Sequence, residues 1–173
     1  CETVLRHSQR GMKLLLPDLD PLMYQTTARQ LLEKDRKTIL LATGFYVGGF
    51  AETDGPPGTF FLAKGLAALG FTPVILTDSL CTGFFPDNEV RTRFLDHDLS
   101  SDAILDEYNP VAMISIERCG KNTENDYANC RGVSIAEYTP PIDDIFETAY
   151  RRGIYTVGIG DGGNEIGMGN IKE

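Results

Sequence analysis

Carboxylates set among glycines recur along this chain, each time just after a run of apolar residues. The densest instance is Gly158-Ile159-Gly160-Asp161-Gly162-Gly163-Asn164-Glu165-Ile166-Gly167, which follows Ile154-Tyr155-Thr156-Val157. Gly158, Gly160 and Gly163 satisfy the spacing G-x-G-x-x-G of dinucleotide loops, where small residues let a pyrophosphate approach backbone N–H groups at a helix N-terminus. Asp161 inside that spacing and Glu165 just beyond it would repel a diphosphate unless a metal intervened. The loop therefore reads as a device for placing carboxylates around something small. Asp161 and Glu165 are candidates for proton transfer or for a hard divalent cation, with Asn164 as a polar contact. Helix capping by Asp161 is the plainer alternative.

A second candidate runs from Thr43 to Gly58, after the apolar run Thr38-Ile39-Leu40-Leu41-Ala42. Here Gly55 and Gly58 allow close backbone approach, Thr53 offers a hydroxyl, and Asp54 is a carboxylate at the entry to a helix. Free N–H groups at that helix start would attract a carboxylate or phosphate. It is not a Walker A loop, because no Gly-Lys-Ser/Thr follows at the required spacing. A turn plus a helix cap is the simpler reading. A third candidate is Ile116-Glu117-Arg118-Cys119-Gly120, where an acid and a base adjacent at a strand exit can hold a zwitterion or position a proton carrier. A structural ion pair is the competing explanation. Downstream, Tyr127 and Arg131 add a phenol and a cation, on a lid or on a solvated loop.

These segments need a frame. Apolar runs at 38–42, 73–77, 111–116 and 154–157 read as strands buried on both faces, with a short strand near 91–94. Helices are expected from Asp20 to about Lys34, over 59–70 with Gly70 at its end, over 98–108 before Asn109-Pro110, and over 142–152. Apolar strands alternating with helices predict an α/β fold: a doubly wound, mainly parallel sheet with helices on both faces, Rossmann-like and three-layered. In such sheets the ligand crevice lies at the carboxyl ends of the strands, where all three segments fall. The expected organisation is an irregular lead-in over 1–19 and one domain over 20–173. The chain lacks an initiator Met and stops where a helix should begin, so it reads as a fragment, truncated at its C-terminus.

The 173 residues carry 25 acidic against 16 basic side chains, a net charge of −9. That field opposes nucleic acid and anionic membranes, and no apolar run approaches the ~20 residues that span a bilayer. Cys1, Cys81, Cys119 and Cys130 form no C-x-x-C pair and read as reduced, intracellular thiols, a Cys119–Cys130 bridge being the alternative. His7 and His97 have no Ser or Cys partner arranged as a triad. The expected partner is a small-molecule substrate, with self-association into a homo-oligomer left open by the sequence.

Taken in order, the motifs resemble the D-glutamate cyclase family, whose members convert D-glutamate to 5-oxo-D-proline and water. The resemblance is carried by Gly44-Phe45 with Glu52-Thr53-Asp54-Gly55-Pro56, by Ile116-Glu117-Arg118-Cys119-Gly120, by Arg131-Gly132 and by Gly158 through Gly169, and it covers roughly residues 20 to 173. It implies a hydro-lyase of glutamate metabolism that, in animals, sits in the mitochondrial matrix. The reaction needs a base to free the α-amine and charge stabilisation on the γ-carboxyl. On that expectation Asp161 or Glu117 is the base and Glu165 the acid. Arg118, Asn164 and the stretch Thr53, Asp54, Gly55 and Gly58 hold the substrate. No cofactor is certain, and a divalent metal bridging Asp54 and Asp161 is the one candidate. The rival readings are a nucleotide-binding or phosphoryl-transfer domain and a non-catalytic amino-acid-binding domain.

Overall fold

The computed structural model describes residues 14, 19–86 and 89–170. Cys1, His7 and the final Ile171-Lys172-Glu173 lie outside them, as does most of the expected lead-in. The chain divides into two compact units, Cys1–Lys34 and Asp35–Glu173. The first contains helix α1 (Met23–Leu32). Its start comes later than the sequence suggests, because Asp20 closes a turn by accepting the Leu22 N–H at 2.8 Å rather than capping the helix.

The second unit is built on strands β1 (Thr38–Gly44), β4 (Thr72–Thr77), β5 (Arg91–Phe94), β6 (Ala112–Arg118) and β7 (Tyr155–Ile159). They form one sheet in the order β5-β4-β1-β6-β7, parallel throughout. Two further strands, β2 (Tyr46–Val47) and β3 (Phe50–Ala51), pair as a small antiparallel hairpin in the β1 exit loop. Its turn is Gly48-Gly49, both at positive φ (57° and 99°), the conformation that two-residue hairpin turns need. This hairpin is what the long glycine-rich loop contains in place of irregular chain.

Successive strand residues point to opposite faces. On one face Leu40 and Ala42 join Val74, Leu76 and Met113 in a core with α3 (Ser101–Tyr108) and α4 (Ile142–Arg151). On the other lies α2 (Gly55–Ala68), burying Thr59, Ala63 and Leu66. The result is the expected doubly wound α/β fold in three layers. The helix α2 begins four residues before its expected start, since Pro56 and Pro57 suit a first turn that needs no N–H. The helix α3 begins at 101 because Ser100 caps it, accepting the Ala103 N–H at 3.3 Å. No helix among the described residues is long and apolar enough to cross a membrane. Cys81, Cys119 and Cys130 are free thiols, so the Cys119–Cys130 bridge is absent.

The strand order reverses between β1 and β6. At such a switch point the two neighbouring exit loops diverge and leave a crevice at the carboxyl edge. The β1 exit carries the hairpin and Asp54; the β6 exit carries Glu117 and Arg118.

Candidate active site

The last turn of β6 is irregular. Thr43 pairs with Ile116 but Gly44 pairs with Arg118, so Glu117 is an extra residue in the ladder. It takes φ 48°, a left-handed conformation. A bulge of this kind re-aims a side chain, and a non-glycine residue held left-handed is a strain that marks functional sites more often than scaffolds. Here it turns the Glu117 carboxyl toward the loop that leaves β7.

That loop explains its own glycines. Glu165 is buried, and its two oxygens accept the Gly162 N–H at 2.7 Å and the Gly163 N–H at 2.8 Å. A Cβ on Gly160 would fall 2.7–2.8 Å from the Glu165 side chain. A Cβ on Gly158 would fall 2.2 Å from the Ile166 carbonyl oxygen. Gly163 turns the chain at φ 88°. The anion on the amides of this nominal dinucleotide loop is thus the protein's own carboxylate, and the place a pyrophosphate would take is filled. Gly158→Ala should therefore destabilise the protein by about 1–3 kcal/mol, the usual range for overpacking, and displace Glu165. Urea denaturation checks it, and an unchanged midpoint would contradict the close packing.

Glu117, Asp161 and Glu165 converge. Each offers a carboxylate oxygen, and these atoms lie within 4.8 Å of one another. Asp161 is exposed, Glu117 half-buried and Glu165 buried. Desolvation first, then the negative charges of Glu165, Asp161, Asp54 and Glu52, push the Glu117 carboxyl up from 4.5 to about 8. It is therefore protonated at neutral pH. Carboxyls whose environments push their acidities apart are the raw material of paired acid and base. Among the described residues this trio has the spacing to hold a divalent cation.

The other expected site residues are placed differently. Arg118 is 1% exposed and cannot reach a ligand through solvent. Its Nη1 pairs with Asp78 and donates to the Gly44 carbonyl at 2.9 Å, and its Nη2 donates to the Pro140 carbonyl at 2.8 Å. The free N–H groups expected at the α2 start are not there. Asp54 accepts the Gly55 N–H at 2.8 Å, Pro56 and Pro57 have none, and the Gly58 N–H bonds the Asp54 carbonyl at 3.4 Å. Gly55 serves packing, since a Cβ there would lie 2.8 Å from Thr43 Oγ1 and 2.9 Å from Glu117 Cβ; Gly58 faces open space. Thr53 is exposed just ahead of the cap. Asn164 ties two loops, its Nδ2 donating to the Ala128 carbonyl at 2.7 Å.

The segment from Cys119 to Pro141 is anchored by a few buried side chains. Phe45, Cys119, Tyr127 and Ile135 form a small core beside the hairpin, and Tyr46 stacks on Tyr138 with centroids 4.2 Å apart. Tyr127 is buried and donates to Asp143, which also accepts the Lys121 N–H at 3.0 Å. Burial and that bond hold the phenol protonated, so it is a fastening rather than a reagent on a lid. Burial likewise pushes the Cys119 thiol up to about 12, leaving it inert. The sequence offers Asp78 as a further acid at a strand exit, where the structure makes it the partner of Arg118, and it gives no sign that Glu52 belongs to the acidic field.

The chain matches the D-glutamate cyclase-like, C-terminal family over residues 2–173. It is similar to the mitochondrial D-glutamate cyclase of Homo sapiens, 32% identical over 162 residues, with 79% of this chain and 26% of the human protein covered. The chain thus spans about a quarter of that relative's length. With a match across nearly its whole length, this chain belongs to the D-glutamate cyclase-like C-terminal family.

Proposed function

We propose that the Glu117–Asp161–Glu165 site cyclises D-glutamate to 5-oxo-D-proline and water. The observation that carries the reading is the convergence of three carboxyl groups within 4.8 Å, with burial and neighbouring negative charge favouring the protonated form of Glu117. In the reaction one C–N bond forms between the α-nitrogen and the γ-carbon, and one C–O bond breaks. Two protons leave the ammonium nitrogen and depart with the γ-oxygen as water. The acidic trio attracts the ammonium. Asp161, the exposed member, takes the first proton and frees the amine. Glu117 gives its proton to the γ-oxygen and is recharged by the second from nitrogen, and Asp161 returns the first to the same oxygen, which leaves as water. Glu165, fixed by two amides, supplies charge and shape and leaves the acid role to Glu117. Holding the chain folded back contributes proximity.

The reading is tested by incubating the purified protein separately with D- and L-glutamate and following 5-oxoproline. Turnover of the D-enantiomer is the expected result, and no interconversion in either direction would overturn it. Preference for D rests on the likeness to the human enzyme. The reading also makes Ca²⁺ or Mg²⁺ a competitor of the ammonium, so millimolar divalent ion should raise KM without lowering kcat. A metal-binding trio is the second reading, favoured by the 4.8 Å spacing. Loss of activity on EDTA dialysis, restored by the ion, would select it.

A further inference from the structure

We propose that the buried Asp78–Arg118 pair is a positioning device that locks the extra residue of β6 in place and so aims the Glu117 side chain into the acidic trio. What Glu117 does there rests on the cyclase reading; the lock rests on geometry alone.

The residues on either side of Glu117 are both pinned. Before it, Ile116 is in register with Thr43 of β1 and with Ile159 of β7. After it, the Arg118 guanidinium reaches the Gly44 carbonyl at the β1 exit, Asp78 at the β4 exit and the Pro140 carbonyl ahead of α4. The Arg118 carbonyl accepts the Ile166 N–H at 2.9 Å, from the loop that carries Asp161 and Glu165. Cys119 then bridges to Glu165. Between these two fixed points the chain has one residue too many for the ladder, and Glu117 absorbs it at positive φ.

Neighbouring residues are shaped to admit the guanidinium. Gly44 sits at φ 106°, and a Cβ there would lie 3.4 Å from Arg118 Nη1, 2.8 Å from Cys81 Sγ and 3.0 Å from Thr77 Oγ1. Asp78 is itself fixed, its Oδ1 accepting the Leu80 N–H at 3.0 Å. With side chains only 1% and 6% exposed, the pair is sealed from ligand. A buried ion pair is poor evidence of stability, since apolar replacements often fold as well. Its use here is to select one backbone path at one edge of the sheet.

The test is a double-mutant cycle on turnover, with folding followed by thermal melting. Asp78→Asn keeps the shape and removes the charge. It should lower kcat between about tenfold and a hundredfold, the scale of a sub-ångström-to-ångström misplacement, with KM within about twofold because ground-state binding is retained. Combined with Glu117→Gln it should add no further loss, since both changes remove the same function. Multiplicative losses, or an unchanged kcat in Asp78→Asn, would overturn the lock. If Asp78→Asn yields no folded protein, Arg118→Lys, which keeps the charge and forfeits the fork, carries the same cycle. Full turnover in Glu117→Gln alone would sink the cyclase role and not the lock. The lock is then decided by a crystal structure of Asp78→Asn, in which Glu117 should leave the left-handed region and in which an unmoved Glu117 refutes it.

Discussion

Glu117→Gln is expected to lower turnover by about 10²–10⁴-fold, the range for losing a general acid, and to remove the alkaline limb of the pH profile. In the unsubstituted protein the carboxyl is held near 8 by desolvation and by Glu165, Asp161, Asp54 and Glu52. Activity that needs its proton should therefore fall as pH rises through about 8. The same shift has a sign for stability. The folded protein binds this proton more tightly than the unfolded chain, whose carboxyl titrates near 4.5. The stabilising contribution is complete below that value and is lost as pH rises through about 8. Thermal melts should accordingly weaken across that window, and less so in Glu117→Gln, which has no proton to lose. Gln retains the volume and a hydrogen-bond donor, so the variant should fold. Wild-type turnover in it, or an alkaline limb that persists, would remove Glu117 from the chemistry.

Much of this arrangement is legible in the sequence. Parallel strands buried on both faces advertise themselves as continuous apolar runs, and Thr38–Ala42, Pro73–Thr77 and Val111–Ile116 lie inside β1, β4 and β6 or one residue outside them. That Asp161 and Glu165 suit the nominal dinucleotide loop poorly was also readable, because charge repulsion needs no structure. What could not be read was direction. Glu117 and Arg118 are adjacent in sequence, yet one faces the crevice and the other is sealed beneath it. The bulge that separates them depends on register with β1, which lies over 70 residues away in the chain. The helix start beside Asp54 offers no free amides for a local reason: Pro56 and Pro57 have none, and the Asp54 carboxylate accepts the Gly55 N–H. Nor does spacing say why the loop needs its glycines, whereas in the fold Gly158 and Gly160 admit a carbonyl and a carboxylate. Tertiary contact, invisible to spacing, decided each of these.

Asp161→Asn is the companion experiment, and it should abolish measurable turnover while leaving the fold intact. Asp161 stands at the β7 exit with its side chain in solvent, the one member of the trio a substrate ammonium meets first. Asn preserves its size and polarity but cannot accept the proton that must leave nitrogen before it can attack. The loop around it is fastened by Glu165 on the Gly162 and Gly163 amides and by the backbone contact of Gly158 with Ile166 and Gly167. The melting temperature should therefore hold. The substitution also deletes one of the charges that raise the Glu117 carboxyl, so that group should titrate lower than in the parent. Carboxyl-labelled NMR across pH 5 to 9 would read this independently of turnover. The two effects separate the roles. If the Glu117 titration falls and turnover survives near the parental rate, Asp161 is a neighbour of the acid and not the base. If both fall and turnover does not return at lower pH, where Glu117 regains its proton, the proton leaves nitrogen through Asp161.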